Sequence, residues 1–337
     1  MCETYSPSGC EAAVAEYLVE TMKSYGWRSY VDEAGNAVGE AGEGPRTLLF
    51  LGHIDTAPGF IPVRIEDGVL HGRGSVDAKG SLAAFISALA RVTARASRLP
   101  GRVVVVGAVE EETDSSRGAR HARAAFSPDW CVIGEPSGAH SVTLGYKGRL
   151  SAAVVVDGSV SHSASGRSTA AENAVGVWTR IREYCRAHSP GDSAFSRFDV
   201  SLRDIHCETD GFQETCRLAL VFRLPPGAEP SAFSTALSSE FPEARYSFSG
   251  GVPAYRADKN NPLARAFVGA VRAVGGTPAF KLKTGTSDMN VVGHSWSCPI
   301  VAYGPGDSSL DHTPCERLPL EEYATAIEVC ARVIESL

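Results

Sequence analysis

The 337-residue sequence lacks the features that mark membrane proteins and secreted proteins. No apolar run approaches the roughly 20 residues that a membrane-spanning helix needs. The N-terminal segment "MCETYSPSGCEAAVAEYL" has no basic stretch followed by an apolar one, so we expect no secretion signal. With 43% hydrophobic and 21% charged residues, the composition predicts a globular cytoplasmic protein that does not contact a membrane.

Cysteine is present but follows no pattern, because none of the nine residues stands in a C-x-x-C pair. This spacing disfavours a disulfide framework and a cysteine-rich zinc site. We expect most of the cysteines to be buried in a reducing environment. The formal net charge of −7 disfavours general nucleic-acid binding.

Apolar runs alternate with helical segments in the first part of the chain. The runs "TLLFLGHID", "RVVVVGAVE" and "DWCVIGEP" are typical of strands that are covered on both faces. The segment "AKGSLAAFISALARVTARA" between the first two predicts a helix, and an earlier helix is predicted with Ser8 as its N-cap and Glu11 three residues later. This alternation predicts an α/β fold with a mixed, mostly parallel sheet.

The pattern changes near Tyr146, where alternating half-exposed strands and two helical stretches predict a small α+β module of β-α-β-β-α-β type. The α/β pattern returns after "SGGVPAYRADKNNP". We therefore predict one domain at 1–147 and 253–337, interrupted by a ferredoxin-like domain at 148–252.

A histidine and an aspartate stand two residues apart at the end of the first predicted strand. His53 and Asp55 would point to the same face, at the edge where α/β sheets usually bind ligands. An aspartate beside a histidine suggests a metal-binding imidazole held by a carboxylate. The alternative is a strand-end turn with a capping aspartate.

Four further segments carry potential metal ligands. They are Asp77 in "GRGSVDAKG", the glutamates of "VEEETD" at 109–114, Glu135 in "VIGEPS" and His312 in "GPGDSSLDHTP". Each has an ordinary explanation alone, as a helix cap, a solvated acidic loop or a surface residue. Five such sites together, mostly at the ends of predicted strands, favour a divalent metal centre with a free carboxylate as base.

The motifs "GHIDT", "GRGSVDAKG", "EEET", "GEPS" and "DHTP" occur in the order seen in the M20 family of dinuclear zinc amidohydrolases and peptidases. The sequence resembles this family over nearly its whole length. The resemblance implies an enzyme that hydrolyses an amide C–N bond with two Zn²⁺ ions, for which Co²⁺ or Mn²⁺ are possible substitutes. It also implies a homodimer formed through the inserted domain, which would act as a dimerisation or lid domain.

The resemblance assigns a role to each motif. One zinc would be bound by His53, Asp77 and Glu135, and the other by Asp77, Glu112 and His312. Asp55 would orient His53, and Glu111 would be the general base. Because three glutamates are adjacent, a second alignment stays open in which Glu110 is the base and Glu111 the ligand.

The resemblance extends to substrate contacts. His162 would stabilise the oxyanion, often from the partner subunit, and Arg223 would bind the substrate carboxylate; the alternatives are a surface histidine and an exposed strand residue. The segment "KTGTSDMN" offers further candidates, which are Gly285, Thr286, Ser287 and Asp288. Its alternative interpretation is a turn with a helix N-cap at Ser287.

The segments "KTGTSDMN" and "GPGDSSLDHTP" together resemble one branch of this family. That branch releases lysine or ornithine from the C-terminal glutamate of a LysW-type amino-group carrier protein. The alternatives are an N-acetyl-lysine or N-acetyl-ornithine deacetylase, another small-substrate aminoacylase or dipeptidase, and a non-catalytic metal-binding relative. Such a carrier is acidic, so its docking would need a positive patch. The candidates are Arg117, Arg120, Arg123, Lys147 and Arg149; a solvated basic helix face is the alternative for the first three.

Overall fold

The computed structural model describes residues 1–95 and 99–337, and the chain divides into two compact units. The larger unit comprises Met1–Gly145, Arg256–Leu282 and Ser287–Leu337. The inserted unit comprises Tyr146–Tyr255 and the short segment Lys283–Thr286. The predicted boundaries after residues 147 and 252 did not include this short segment.

The helices and strands follow one another in chain order. The helices are α1 (Ala12–Ser24), α2 (Lys79–Arg95), α3 (Arg117–Ala125), α4 (Ala170–Ala187), α5 (Pro230–Glu240), α6 (Pro262–Ala273), α7 (Asp288–Gly293) and α8 (Leu320–Ser336), with a 3₁₀ turn at Ser308–Leu310. The first strands are β1 (Arg28–Val31), β2 (Ala37–Ala41), β3 (Thr47–His53), β4 (Arg64–Glu66), β5 (Val69–His71), β6 (Arg102–Ala108), β7 (Trp130–Gly134) and β8 (Ser141–Tyr146). The others are β9 (Gly148–Ser159), β10 (Asp199–Thr209), β11 (Gln213–Leu224), β12 (Arg245–Val252), β13 (Tyr255–Arg256), β14 (Ala279–Lys283), β15 (Ile300–Tyr303) and β16 (Arg317–Pro319).

The larger unit is built on a nine-stranded sheet. Its order is β1-β2-β6-β3-β7-β15-β8-β13, with β14 also paired to β8. The central strands β6, β3, β7 and β15 are parallel neighbours, whereas β2 and β8 run antiparallel to theirs. A separate three-stranded sheet has the order β16-β5-β4.

The central strands are buried on both faces, as their continuous apolar sequences predict. All residues of β3 and β6 after the first are buried. Helix α2 lies against β3, β6 and β7, and small residues allow its close approach. A Cβ atom at Gly134 would lie 3.0 Å from Phe85 of α2 and 3.0 Å from the Cα of Gly52. Any larger residue at position 134 would therefore push the helix away from the sheet.

Two helix boundaries differ from the sequence expectations. The N-cap of α1 is Glu11 and not Ser8, because the Ser8 hydroxyl donates instead to Asp55 Oδ2 at 2.7 Å. The long-range hydrogen bond therefore replaces the local cap. Helix α2 begins at Lys79, and the last residue of its predicted segment, Ala96, lies outside the described residues.

The inserted unit has a four-stranded antiparallel sheet in the order β10-β11-β9-β12. Its core contains alternate residues of β11, among them Leu218, Leu220 and Phe222, together with apolar side chains of α4 and α5. Helix α4 begins with a capping box between Thr169 and Glu172. The predicted β-α-β-β-α-β order includes a strand at the place of β10, but its residues were not identified, since they are mostly exposed and show little apolar alternation.

The cysteine expectations need correction. Only Cys131, Cys185, Cys216 and Cys330 of the nine are buried, so the prediction that most are buried is wrong. Cys207 and Cys216 lie opposite each other in β10 and β11, with Cα atoms 4.1 Å apart, and are joined by a disulfide. One pair within a hairpin is not the disulfide framework that we excluded.

The predicted mixed α/β class is confirmed, including the partly parallel central sheet and the inserted α+β module. Among residues 1–95 and 99–337, every helix is too short or too polar to traverse a lipid bilayer.

Candidate metal centre

Four parallel strands of the larger unit end at one edge of the sheet. Gly52 of β3 pairs with Gly134 of β7, so the next residues, His53 and Glu135, follow at the same level. His53 also pairs with Ala108 at the end of β6, two residues before the three glutamates. The parallel alignment therefore brings three of the sequence motifs to one place.

Asp77 lies between two histidines that are far apart in the sequence. Its Oδ1 atom lies 3.2 Å from Nε2 of His53, and its Oδ2 atom lies 3.0 Å from Nε2 of His312. The chain between β3 and β6 forms the β4–β5 hairpin and then α2, and Asp77 stands just before α2. Each carboxylate oxygen thus faces a different imidazole nitrogen, an arrangement that suits a carboxylate shared between two cations.

The three glutamates after β6 point in different directions. Glu112 Oε1 lies 2.9 Å from Nε2 of His312, and ligand atoms of Asp77, Glu112 and His312 all lie within 4.8 Å of one another. Glu110 instead pairs with Arg117 at 2.8 Å and accepts a hydrogen bond from the Ser115 hydroxyl. Glu110 has a φ of 58°, a left-handed conformation that turns the chain between the strand and the two other glutamates.

Asp55 connects the histidine of the first motif with the glutamate loop. The backbone oxygen of Asp55 lies 2.9 Å from Nδ1 of His53, and its carboxylate Oδ1 lies 3.5 Å from the same atom. The carboxylate accepts hydrogen bonds from the backbone N–H groups of Glu111 (3.1 Å) and Glu112 (3.0 Å). One buried residue therefore contacts the imidazole, mainly through its backbone oxygen, and the loop that carries the glutamates, through its carboxylate.

The contacts among these groups shift their pKa values. Contacts with the Asp77 and Glu112 carboxylates raise the pKa of His312 to about 10. Burial alone would lower the pKa of His53, but its contacts with Asp55 and Asp77 raise it well above the usual value. Burial likewise opposes ionisation of Asp77, yet the two imidazoles hold its pKa well below the usual value.

Two further carboxyl groups are shifted in the opposite direction. Burial raises the pKa of Glu111 well above its usual value; His53 opposes this shift, and Glu135, Asp288 and Glu112 add to it. Burial also raises the pKa of Asp288, at the start of α7, to about 7. A carboxyl group with a raised pKa can hold a proton near neutral pH.

The donor set fits a divalent metal. Glu112 Oε1 and Asp288 Oδ1 are buried, and neither has a hydrogen-bond partner within the described part of the chain. Glu112 Oε1 instead forms an ion pair with His312 when the imidazole is protonated, and two ligands of one cation also approach each other this closely. Imidazole nitrogens with carboxylate oxygens are ligands that zinc accepts.

The remaining predicted site residues belong mainly to the inserted unit. His162 lies in an exposed loop, where its Nδ1 accepts a hydrogen bond from the backbone of Ala164 at 3.1 Å. Arg223 donates to the Thr286 hydroxyl at 2.7 Å, and this hydroxyl donates to the backbone oxygen of Lys147. Arg223 and Thr286 are therefore already linked within the inserted unit.

Ser287 and Asp288 lie in the larger unit, and both are buried. Ser287 is the N-cap of α7: its hydroxyl accepts from Met289, and Asn290 accepts from the Ser287 backbone. The capping interpretation that we left open for Ser287 therefore describes the structure. Gly285, two residues earlier, has no atom within 4 Å of the position that a Cβ would occupy.

The proposed basic patch loses one member. Lys147 is fully buried, and its ammonium donates to Asp199 Oδ2 at 2.7 Å and to the backbone oxygens of Ala194 and Arg197. The hypothesis that Lys147 contacts a carrier is wrong, because its charge is already neutralised inside the inserted unit. Arg117 and Arg120 of α3 are exposed.

Sequence reasoning missed a supporting residue near the N-terminus. Glu11 is buried, and its Oε1 accepts hydrogen bonds from the backbone of Gly9 (2.9 Å) and of Glu110 (3.1 Å). With Ser8, it ties the N-terminal segment to the loop of glutamates. The signal was ambiguous, since a serine followed by a glutamate three residues later also fits a helix cap.

The sequence profile of peptidase family M20/M25/M40 matches residues 49–336. A protein of Deinococcus radiodurans named [LysW]-lysine hydrolase is 47% identical to the chain, over 98% of the chain and 93% of that protein. A putative [LysW]-lysine/[LysW]-ornithine hydrolase of Thermococcus kodakarensis is 42% identical, over 100% of the chain and 90% of that protein. A [LysW]-lysine/[LysW]-ornithine hydrolase of Sulfurisphaera tokodaii is 28% identical, over 99% and 92%.

Solved structures have the same fold at lower identity. The M20 family metallo-carboxypeptidase Sso-CP2 from Sulfolobus solfataricus matches with a TM-score of 0.81 at 18% identity, over 99% of this chain and 96% of that one. The aminopeptidase PepT from Bacillus cereus matches with a TM-score of 0.78 at 18% identity, over 99% and 95%. At this identity the likeness concerns the fold alone.

Proposed function

This chain belongs to peptidase family M20/M25/M40, and from that premise we propose that it releases lysine or ornithine from the C-terminal glutamate of a LysW-type amino-group carrier protein. The names of its relatives in Deinococcus, Thermococcus and Sulfurisphaera support this substrate. The family makes the chain a hydrolase with a divalent metal centre.

One observation carries the proposal, namely that each oxygen of the Asp77 carboxylate faces a different histidine. On this basis we assign two Zn²⁺ ions, one to His53, Asp77 and Glu135 and the other to Asp77, Glu112 and His312. Co²⁺ and Mn²⁺ are possible substitutes for either ion. The position of Glu112 beside His312, and of Glu110 beside Arg117, supports the alignment in which Glu111 is the general base.

When bound, the two ions would lower the pKa of a water molecule and polarise the carbonyl of the scissile amide. The carboxylate of Glu111 accepts a proton from the water and later donates it to the leaving α-amino group. The burial that raises the pKa of Glu111 suits this proton transfer. Asp55 keeps His53 and the glutamate loop in place through its backbone and carboxylate oxygens.

We also propose roles in substrate recognition for the residues that the family resemblance indicated. His162 is proposed to stabilise the oxyanion, contributed by the partner subunit of a homodimer that forms through the inserted unit. Arg223 and the loop of Gly285, Thr286, Ser287 and Asp288 are proposed to bind the amino-acid part of the substrate. The exposed Arg117 and Arg120 of α3 are candidates for docking an acidic carrier.

The substrate proposal is tested with four compounds. The purified, metal-loaded enzyme is incubated with carrier-linked lysine, carrier-linked ornithine, N-acetyl-lysine and N-acetyl-ornithine, and release of the free amino acid is measured. We expect the carrier-linked substrates to be cleaved faster. Faster cleavage of the N-acetyl compounds would identify a deacetylase instead.

The role of Glu111 is tested with two matched variants. We expect Glu111→Gln to lower kcat by about 10²- to 10⁴-fold without loss of metal, because only the proton acceptor is removed. Glu110→Gln is the control and is expected to retain turnover, since Glu110 faces Arg117. If Glu110→Gln abolishes turnover and Glu111→Gln loses a metal, the second alignment of the glutamates is correct.

A further inference from the structure

Arg73 and Glu316 form a buried ion pair in the larger unit that the proposed mechanism does not use. Arg73 Nη1 lies 2.9 Å from Glu316 Oε2, and the two residues are 8% and 1% exposed. Arg73 precedes Asp77 by four residues, and Glu316 follows His312 by four. The pair therefore joins the two chain segments that carry Asp77 and His312.

Glu316 fixes the backbone at Asp77. Its Oε1 atom accepts hydrogen bonds from the backbone N–H of Val76 at 2.9 Å and of Asp77 at 3.0 Å. Its other oxygen is held by Arg73. Both oxygens of a buried carboxylate are thus satisfied, and the backbone from which the Asp77 side chain extends is held in one orientation.

Arg73 fixes the loop that contains His312. Its Nη1 group donates to the backbone oxygen of Thr313 at 3.1 Å, and its Nε group donates to the backbone oxygen of Gly59 at 3.2 Å. Thr313 directly follows His312, whose φ of 61° lies in the left-handed region. Such a conformation costs a histidine free energy and persists only where neighbouring contacts enforce it. The planar guanidinium supplies these contacts to several segments at once.

A buried ion pair of this kind adds little to the free energy of unfolding, because the cost of removing two charges from water is about as large as the energy of their attraction. Its contacts instead converge on Asp77 and on the residue after His312. We propose that Arg73 and Glu316 are positioning residues that hold Asp77 and His312 in metal-binding geometry before an ion arrives. The proposal rests on the proposed function only in taking Asp77 and His312 as metal ligands.

Cobalt titration of metal-free protein tests this role without any substrate. The variant is Glu316→Gln, and the matched control is Glu40→Gln. Glu40 forms a partly buried ion pair of the larger unit, with Arg102 at 2.7 Å, between β2 and β6. Binding is followed by calorimetry and by the visible absorption of Co²⁺, and folding by circular dichroism.

We expect Glu316→Gln to bind both Co²⁺ ions about 10- to 100-fold more weakly, the usual effect of removing an outer partner of a metal site. Both ions are affected because Asp77, whose backbone Glu316 holds, is assigned to both, and the ion assigned to His312 should be weakened more, because Arg73 also holds the residue after His312. Glu40→Gln should bind both ions normally. Wild-type affinity for both ions in Glu316→Gln, or equal weakening in Glu40→Gln, would overturn the proposal.

Arg73→Lys keeps the positive charge but removes the planar fork, and it provides a second measurement if Glu316→Gln does not fold. We expect the weaker Co²⁺ site of this variant to lie between those of the wild type and Glu316→Gln. Unchanged cobalt affinity would contradict the role of Arg73. A wild-type protein that binds two ions but releases no lysine or ornithine would remove the substrate proposal and leave this inference intact.

Discussion

The two units of the chain differ in the number of buried polar side chains and in the partners of those side chains. In the described part of the chain, all buried polar and charged side chains except Lys147 belong to the larger unit. Many of these side chains lie where β3, β6 and β7 end. The core of the inserted unit consists of apolar residues from one face of its sheet and from α4 and α5.

The difference lies in how each buried charge is compensated. The Lys147 ammonium has three acceptors, two of them backbone oxygens and the third Asp199, so its three N–H groups are satisfied. In the larger unit, Glu112 Oε1 and Asp288 Oδ1 find no hydrogen-bond partner among the described residues. Lys147 is paired by fixed groups of the protein, which indicates a structural role, whereas Glu112 contacts a histidine whose proton a cation can replace, which indicates a metal site.

Removing the shared carboxylate should give the largest effect. We expect Asp77→Asn to weaken binding of divalent metal at least about 100-fold, because a ligand is lost and not merely an outer partner. Hydrolysis should be lost with it. Cobalt titration and an activity assay check this, and circular dichroism shows whether the variant is folded. If Asp77→Asn bound as much metal as the wild type does, Asp77 could not be the carboxylate that both ions share.

Removing the buried charge of the inserted unit should affect stability alone. We expect Lys147→Met to lower the free energy of unfolding by about 3 kcal/mol, since two backbone oxygens and Asp199 Oδ2 lose their partner, while Asp199 Oδ1 keeps its contact with Arg197. Urea denaturation measures this change. The cobalt affinity of the folded variant should equal that of the wild type. A large loss of metal affinity in Lys147→Met would show that the two regions are not distinct in this way.

The smallest expected effect is the pH dependence of metal binding. Because the pKa of His312 is raised to about 10, metal-free protein carries this proton at pH 7. A metal ligand must be a neutral imidazole, so binding releases the proton, and affinity should rise about tenfold per pH unit for each proton released, until pH approaches 10.

Calorimetry in buffers of different ionisation enthalpy counts the protons released between pH 7 and pH 8. His188→Gln is the control, because this histidine lies in the inserted unit and should not alter the count. Metal binding without proton release, or with an affinity that falls as the pH rises in this range, would contradict the expected protonation of His312.

The fold class was predictable because short continuous apolar runs such as those of β3 and β6, alternating with helical segments, are typical of strands covered on both faces. The residue range of β10 was not predictable, since its exposed residues carry no clear alternation and its pairing with β11 defines it as a strand. Lys147 was misassigned for a related reason. A lysine beside a strand usually lies at the surface, and its burial depends on the distant loop at 194–199.

The amino-acid sequence by itself determined the types of side chain available for metal binding and the strand ends at which most of them stand. It left open which of the three glutamates faces the histidines, since adjacent residues of a loop have no fixed direction. Tertiary structure determines the local geometry, because the left-handed turn at Glu110 and the contacts of Asp55 hold Glu112 beside His312. Only the folded chain brings Arg73 and Glu316 together, for they lie more than 240 residues apart in sequence.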